Sequence, residues 1–244
     1  MTELVANLGE LALNLLGLMG VIALTLIVVY AGFNALGRLI WRLQRERIGI
    51  CAEHIAAHLS LTSAPPPDPR TQLWRGRTQT CELWLTTGSM YYGPTGFQLD
   101  SCGPGFIDGM PQFSFEHLGS LLVVARYLEP LPVRFTMSTM YAVTANIETG
   151  DRRFDQVFKL KAERADNKDH IKQITQMFAS APLRDALLAI FGPDRSRDGT
   201  GIMVAVNECG LMAYWDSPKP DRAADFSRAV ADAIDKIAGQ NSGH

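Results

Sequence analysis

Val133–Lys161 reads VRFTMSTMYAVTANIETGDRRFDQVFKLK, and this stretch decides the fold. Val133, Phe135, Met137, Thr139, Tyr141, Val143, Ala145 and Ile147 alternate with Arg134, Thr136, Ser138, Met140, Ala142, Thr144, Asn146 and Glu148. Successive side chains of a strand point to opposite faces. A period of two over these 16 positions therefore predicts a long or bent strand with one largely apolar face. Thr149-Gly150-Asp151 supplies turn chemistry. Beyond it Phe154, Gln156, Phe158 and Leu160 alternate with Asp155, Val157, Lys159 and Lys161, which predicts a return strand and an antiparallel hairpin.

Toward the C-terminus the period changes. A helix starting near Asp166–Lys168 would bury Ile171, Ile174, Met177 and Phe178. A second opens with Pro182 in its first turn, buries Leu183, Leu187 and Ile190, and stops at Gly192. Ile202–Val206 and Leu211–Trp215 predict another hairpin around Asn207–Gly210. A last helix, Asp221–Ile237, would bury Ala223, Phe226, Val230, Ala233, Ile234 and Ile237. Strands and helices come in blocks, so the fold class is α+β, with antiparallel hairpins packed on helices.

Toward the N-terminus, Cys81–Tyr92 reads as a strand and Cys102–Pro111 as a Gly- and Pro-rich loop. After a capping Ser114, Leu118, Leu121, Leu122, Ala125 and Leu128 have helical spacing, with a buried strand over Leu121–Ala125 as the alternative. Ser63-Ala64-Pro65-Pro66-Pro67-Asp68-Pro69 reads as a stiff linker over 63–70, ahead of a domain spanning 71–240. Leu11–Gly37 carries no charged residue over 27 positions. About 20 apolar residues suffice to cross a bilayer, which predicts a transmembrane helix over 11–37 after a short outer segment, 1–10. The first ten residues hold Glu3 and Glu10 and no Lys or Arg, which argues against a signal peptide. Arg38, Arg42, Arg45 and Arg47 follow the apolar run, so the expected orientation is N-terminus out, with a juxtamembrane helix over 38–62 and the domain on the cytoplasmic side of the inner membrane. Ala31, Gly32 and Ala35 form a small-residue face on which another helix can pack closely.

Charge narrows the function. The chain of 244 residues has net charge −2; residues 1–47 contribute +1 and the remainder −3. No broad basic field exists to collect phosphates, so a nucleic-acid partner is not expected. Cys51, Cys81, Cys102 and Cys209 are far apart and form no Cys-x-x-Cys pair, which reads as four free thiols. Cys51, His54 and His58, at i, i+3 and i+7, share a helix face and are the candidate metal ligands. Gly88–Gly93 and Gly103–Gly105 lack the spacing of a phosphate-binding loop, and no nucleophile elbow or His-Glu-x-x-His occurs. The residues name no cofactor.

The stretch IETGDRRFDQVFKLKA, then LRDALLAIF and the short hairpin, resembles a domain of uncharacterised bacterial membrane-anchored proteins. The matching positions are Thr149–Asp151, Phe154, Asp155, Phe158 and Leu183–Leu188, about a third of the chain being covered. The resemblance implies an anchored accessory role and brings no active site with it. The expected function is a non-enzymatic subunit, held in the lipid bilayer, that binds or stabilises a larger membrane assembly through its helix and its domain. The alternatives are a tethered ligand-binding or sensory domain with a pocket near 102–111, and an enzyme whose site the sequence does not display.

Overall fold

The structure, a computed structural model, describes residues 2–66, 72–87, 106–107, 110–111, 120–139, 147–162, 167–193 and 200–239. Packing divides the chain into two units, 1–44 and 45–244. Helix α1, Thr2–His58, begins in the first and ends in the second.

The second unit is built on an antiparallel sheet. Its strands are β1 (Thr62–Ala64), β2 (Leu73–Arg77), β3 (Cys81–Thr87), β6 (Ser120–Tyr127), β7 (Phe135–Ser138), β8 (Lys159–Ala162), β9 (Ile202–Asn207) and β10 (Gly210–Asp216). Their order is β1-β2-β3-β6-β10-β9-β7-β8. Two short strands, β4 (Phe106–Ile107) and β5 (Met110–Pro111), pair with each other. The helices are α2 (Arg152–Val157), α3 (Lys168–Phe178), α4 (Ala181–Ala189) and α5 (Ala223–Ala238). The hairpin β9–β10 forms last along the chain yet lies between β6 and β7, so the centre of the sheet closes only when the C-terminal third is in place.

Alternation along the strands separates two cores. Cys81, Leu83 and Leu85 of β3, Leu121, Val123 and Ala125 of β6, and Leu211, Ala213 and Trp215 of β10 share one cluster with the buried faces of α3, α4 and α5 and with Ile48, Cys51, Ala52, Ile55, Ala56 and Leu59 of α1. Leu73, Trp84, Leu122, Val124, Ala205, Met212 and Tyr214 form a second cluster from the intervening positions. The sheet therefore has a helix-bearing face and an opposite face.

Several expectations are corrected. Among the described residues no helix is long and apolar enough to cross a membrane, so the transmembrane span over 11–37 does not stand, nor do the single-pass topology and inner-membrane location drawn from it. The uncharged run is not a separate span. It belongs to one 57-residue helix that continues through Arg42, Arg45, Glu46 and Arg47 and packs its last turns into the core. The helix read over 118–128 is, where described, strand β6, which is the alternative reading of a buried strand over Leu121–Ala125. Its apolar residues are consecutive because a central strand is covered on both faces, and a short apolar run does not distinguish the two structures. Residues 154–157, read as the start of a return strand, belong to the helix α2. The strands β7 and β8 do pair antiparallel, Phe135 with Ala162 and Ser138 with Lys159, but α2 is interposed between turn and strand. Met140–Asn146 and most of the Gly/Pro loop lie outside the described residues, as do Gly88–Gly93, Ser114 and His117.

The cysteines also depart from expectation. Cys51 and Cys81 are free and buried, whereas Cys209 is disulfide-bonded, its partner lying outside the described residues. Distance along the sequence says nothing about the tertiary approach that a disulfide needs. Thiol titration of denatured, unreduced protein is expected to find two free thiols among the four cysteines, and four would overturn the bond.

Candidate functional site

The residues of the quoted motif prove to be architectural. Asp151 caps α2 by accepting from the Arg153 and Phe154 amides at 3.1 and 3.3 Å. Its other carboxylate oxygen lies 3.1 Å from Nε of Arg184, and that guanidinium also donates to the Phe178 carbonyl at 2.6 Å. Asp155 accepts from the Thr149 amide and hydroxyl at 3.0 and 2.9 Å, closing the turn before the helix. The acidic pair and Arg184 thus join α2, α3 and α4. Lys159 donates to the Asp155 carbonyl at 3.0 Å.

The amide of Phe154, above all, holds the Asp151 carboxyl below its ordinary value, with Arg184 and the Arg153 amide acting the same way. A carboxyl whose folded-state pKa is depressed contributes stability that is present above its unfolded value and lost as pH falls through the folded one. Asp151→Asn keeps the cap but removes the charge. The variant is expected to be less stable than wild type at neutral pH, with the gap beginning to narrow as pH falls below about 4, the unfolded carboxyl range, and closing only once pH has passed below the depressed folded-state value. Denaturant melts across pH decide this, and a stability gap that persists at low pH would contradict it.

The candidate metal ligands do not converge. Cys51 lies in the core stripe of α1 with Ile48, Ala52 and Ile55, while His54 and His58 are exposed. Burial pushes the Cys51 thiol up to about 11, which disfavours the thiolate a metal would need. Among the described residues no group of three His, Cys, Asp or Glu side chains is placed to hold a metal ion. Ala31, Gly32 and Ala35 are exposed on α1, and among the described residues nothing beyond the helix's own backbone crowds Gly32.

A different constellation stands on the opposite face of the sheet, at the β2–β3 end. Arg75, Gly76, Arg77, Glu82 and Trp84 line an open cavity of about 300 Å³. The register pairs Arg75 with Trp84 and Arg77 with Glu82, and Glu82 in turn with Arg126 of β6. The Arg75 guanidinium carbon lies 5.8 Å from the centroid of the Trp84 ring, within cation–π range. Trp84 is buried, whereas Arg75 and Arg77 are exposed. Among the described residues neither of these two guanidinium groups takes part in an ion pair.

Local structure explains the placement. Gly76 faces the other way, and a side chain there would run into Leu61, so β2 lies close against the chain leaving α1. Arg75 and Arg77, two residues apart on one strand, project on the same side. The arrangement supplies two cationic hydrogen-bond donor groups above an aromatic platform, with one carboxylate beside them: the chemistry of holding an anion. Sequence reasoning passed over these residues, because their meeting depends on strand register. The available signal was the alternation of Arg75 and Arg77, followed by Glu82 and Trp84 at even spacing. No protein-family model, curated protein or solved structure matches this chain, so the reading of the site rests on its own residues.

Proposed function

We propose that this chain is a non-enzymatic binding subunit that engages a protein partner through the face of its sheet opposite the helices. The observation that carries this reading is the cavity at the β2–β3 end, where exposed Arg75 lies over buried Trp84 and Arg77 stands beside it. Arginine is among the residue types most enriched where protein interfaces concentrate their binding energy, and buried Trp84 backs Arg75 from beneath. The cavity is open and lies on a sheet, which suits a side chain or chain segment of a partner better than an enclosed small ligand.

The test is isolation of the tagged full-length chain under gentle conditions, followed by mass analysis of what accompanies it. A protein at near-stoichiometric amount, lost or much reduced in the Arg75→Glu/Arg77→Glu variant, is the expected result. Recovery of the chain with no accompanying protein would reject the subunit reading. A retained small molecule released on denaturation would move the assignment to a ligand-binding domain.

A further inference from the structure

Resting on the binding-subunit reading, we infer that the β2–β3 cavity takes an extended acidic peptide segment with carboxylates at alternate positions. The spacing carries the argument. Arg75 and Arg77 are two residues apart on one strand, so their side chains repeat at about 6.8 Å along it. An extended peptide lying along β2 repeats its same-face side chains at the same interval. Two acidic residues at i and i+2 would therefore meet the two guanidinium groups in register. Guanidinium forks favour planar carboxylates through paired N–H donors. Neither of these two has a carboxylate partner among the described residues.

Trp84 and Glu82 sharpen the class of ligand. The Trp84 ring, buried beneath Arg75, holds that guanidinium over the sheet and leaves its outer side to the ligand. Glu82 stands opposite Arg77, one strand further in, about 4.8 Å away in backbone spacing. It repels a second negative charge on the β3 side and so confines the acids to a line along β2. A nucleic-acid strand, charged at every nucleotide and needing several cations, is a poor match for two open arginines beside a carboxylate.

The test is fluorescence anisotropy at low salt with the full-length chain and labelled heptapeptides. The acidic probe is Gly-Glu-Gly-Glu-Gly-Glu-Gly, and the control replaces each Glu with Lys. Binding of the acidic peptide and not the basic one is expected, with marked weakening at high salt. Arg75→Ala and Arg77→Ala should each weaken it about two- to fivefold, the scale of exposed ion pairs. Arg75→Lys should recover only part of what Arg75→Ala loses, because the ammonium keeps the charge without the fork or the stack on Trp84. The double change to Glu should abolish binding without altering the far-ultraviolet spectrum. No binding at millimolar peptide, or equal binding by the double variant, would overturn the inference. Tighter binding of a labelled oligothymidylate that displaces the peptide would also overturn it, in favour of nucleic acid. The two proposals fail separately. A protein that co-purifies equally well with wild type and with the Arg75→Glu/Arg77→Glu variant leaves a binding subunit without this acidic site.

Discussion

Deleting residues 1–68 is expected to abolish cooperative folding, whereas deleting 1–44 leaves it intact. The proline-rich stretch before Thr71 looks like a domain boundary in sequence, but the packing draws the line earlier, between 44 and 45. Ile48, Ile55, Leu59 and Leu61 are at most 9% exposed and belong to the same core as α5 and the centre of the sheet. Burying a large aliphatic side chain contributes about 1.5–3 kcal/mol, so these four contribute on the order of 6–12 kcal/mol before ordering costs. A domain's whole net stability is only about 5–15 kcal/mol. The longer deletion also removes β1, which pairs Thr62–Ala64 with Leu73–Arg75, and leaves the outer edge of β2 bare. Unpaired edges recruit other chains, so aggregation should accompany the loss of a melting transition. Calorimetry of the two truncated chains is the measurement. A sharp, reversible transition in the chain lacking 1–68 would show that the end of α1 is dispensable to the core.

How far the sequence could be read depends on the length scale of each signal. The hairpin β9–β10 is legible because its determinants are local. Asn207 and Gly210 pair across a two-residue turn, and the Asn207 side chain accepts from the Cys209 and Gly210 amides at 2.8 and 3.1 Å. Gly210 passes so close to the Ala125 carbonyl that no Cβ fits there. The apolar stripes of α4 and α5 are legible for the same reason, and Leu183, Leu187, Phe226, Val230 and Ile234 are buried as their spacing implies.

What was misread depended on competition between signals or on distant partners. Residues 154–161 alternate like a strand, but the Asp151 carboxylate is a strong helix cap, and over the six residues of α2 the cap and the burial of Phe154 and Val157 decide the outcome. In β6 the apolar run carries no period because both faces of the strand are covered. The long uncharged run in α1 reads as a span because it lacks charge, but among the described residues no helix is long and apolar enough to cross a membrane. The arginine–tryptophan site was the least legible, since Arg75 and Trp84 become neighbours only when β2 and β3 pair in one particular register. Composition gave no hint of it in a chain of net charge −2.

Phe154→Ala is expected to cost about 3–5 kcal/mol, as truncation of a fully buried aromatic does. The reason lies in what the ring joins. Phe135 of β7 meets Phe178 of α3 edge to face at 5.3 Å, Phe178 lies 6.0 Å from Phe154 of α2, Phe154 stacks on Phe158 at 4.8 Å, and Phe158 meets Phe191 after α4 at 5.8 Å. Five rings thus form one chain through the core, and Phe154 is its middle member. All five are at most 2% exposed. Aromatic pairs contribute about 0.5–1.5 kcal/mol beyond the area they bury, so Phe154→Ala and Phe158→Ala should not be additive. A double-mutant cycle between them should return a coupling of that size, which separates the ring contact from the cavity each truncation leaves. Lys161→Ala, exposed on β8 nearby, is the control and should change stability by about 0.5 kcal/mol or less. Urea melts of the five proteins, parent included, in residues 45–244 supply the numbers. If Phe154→Ala melted within about 1 kcal/mol of the parent, the small helix α2 would be an appendage rather than part of the core. The Asp151–Arg184 ion pair would then be left holding a segment that the fold does not need.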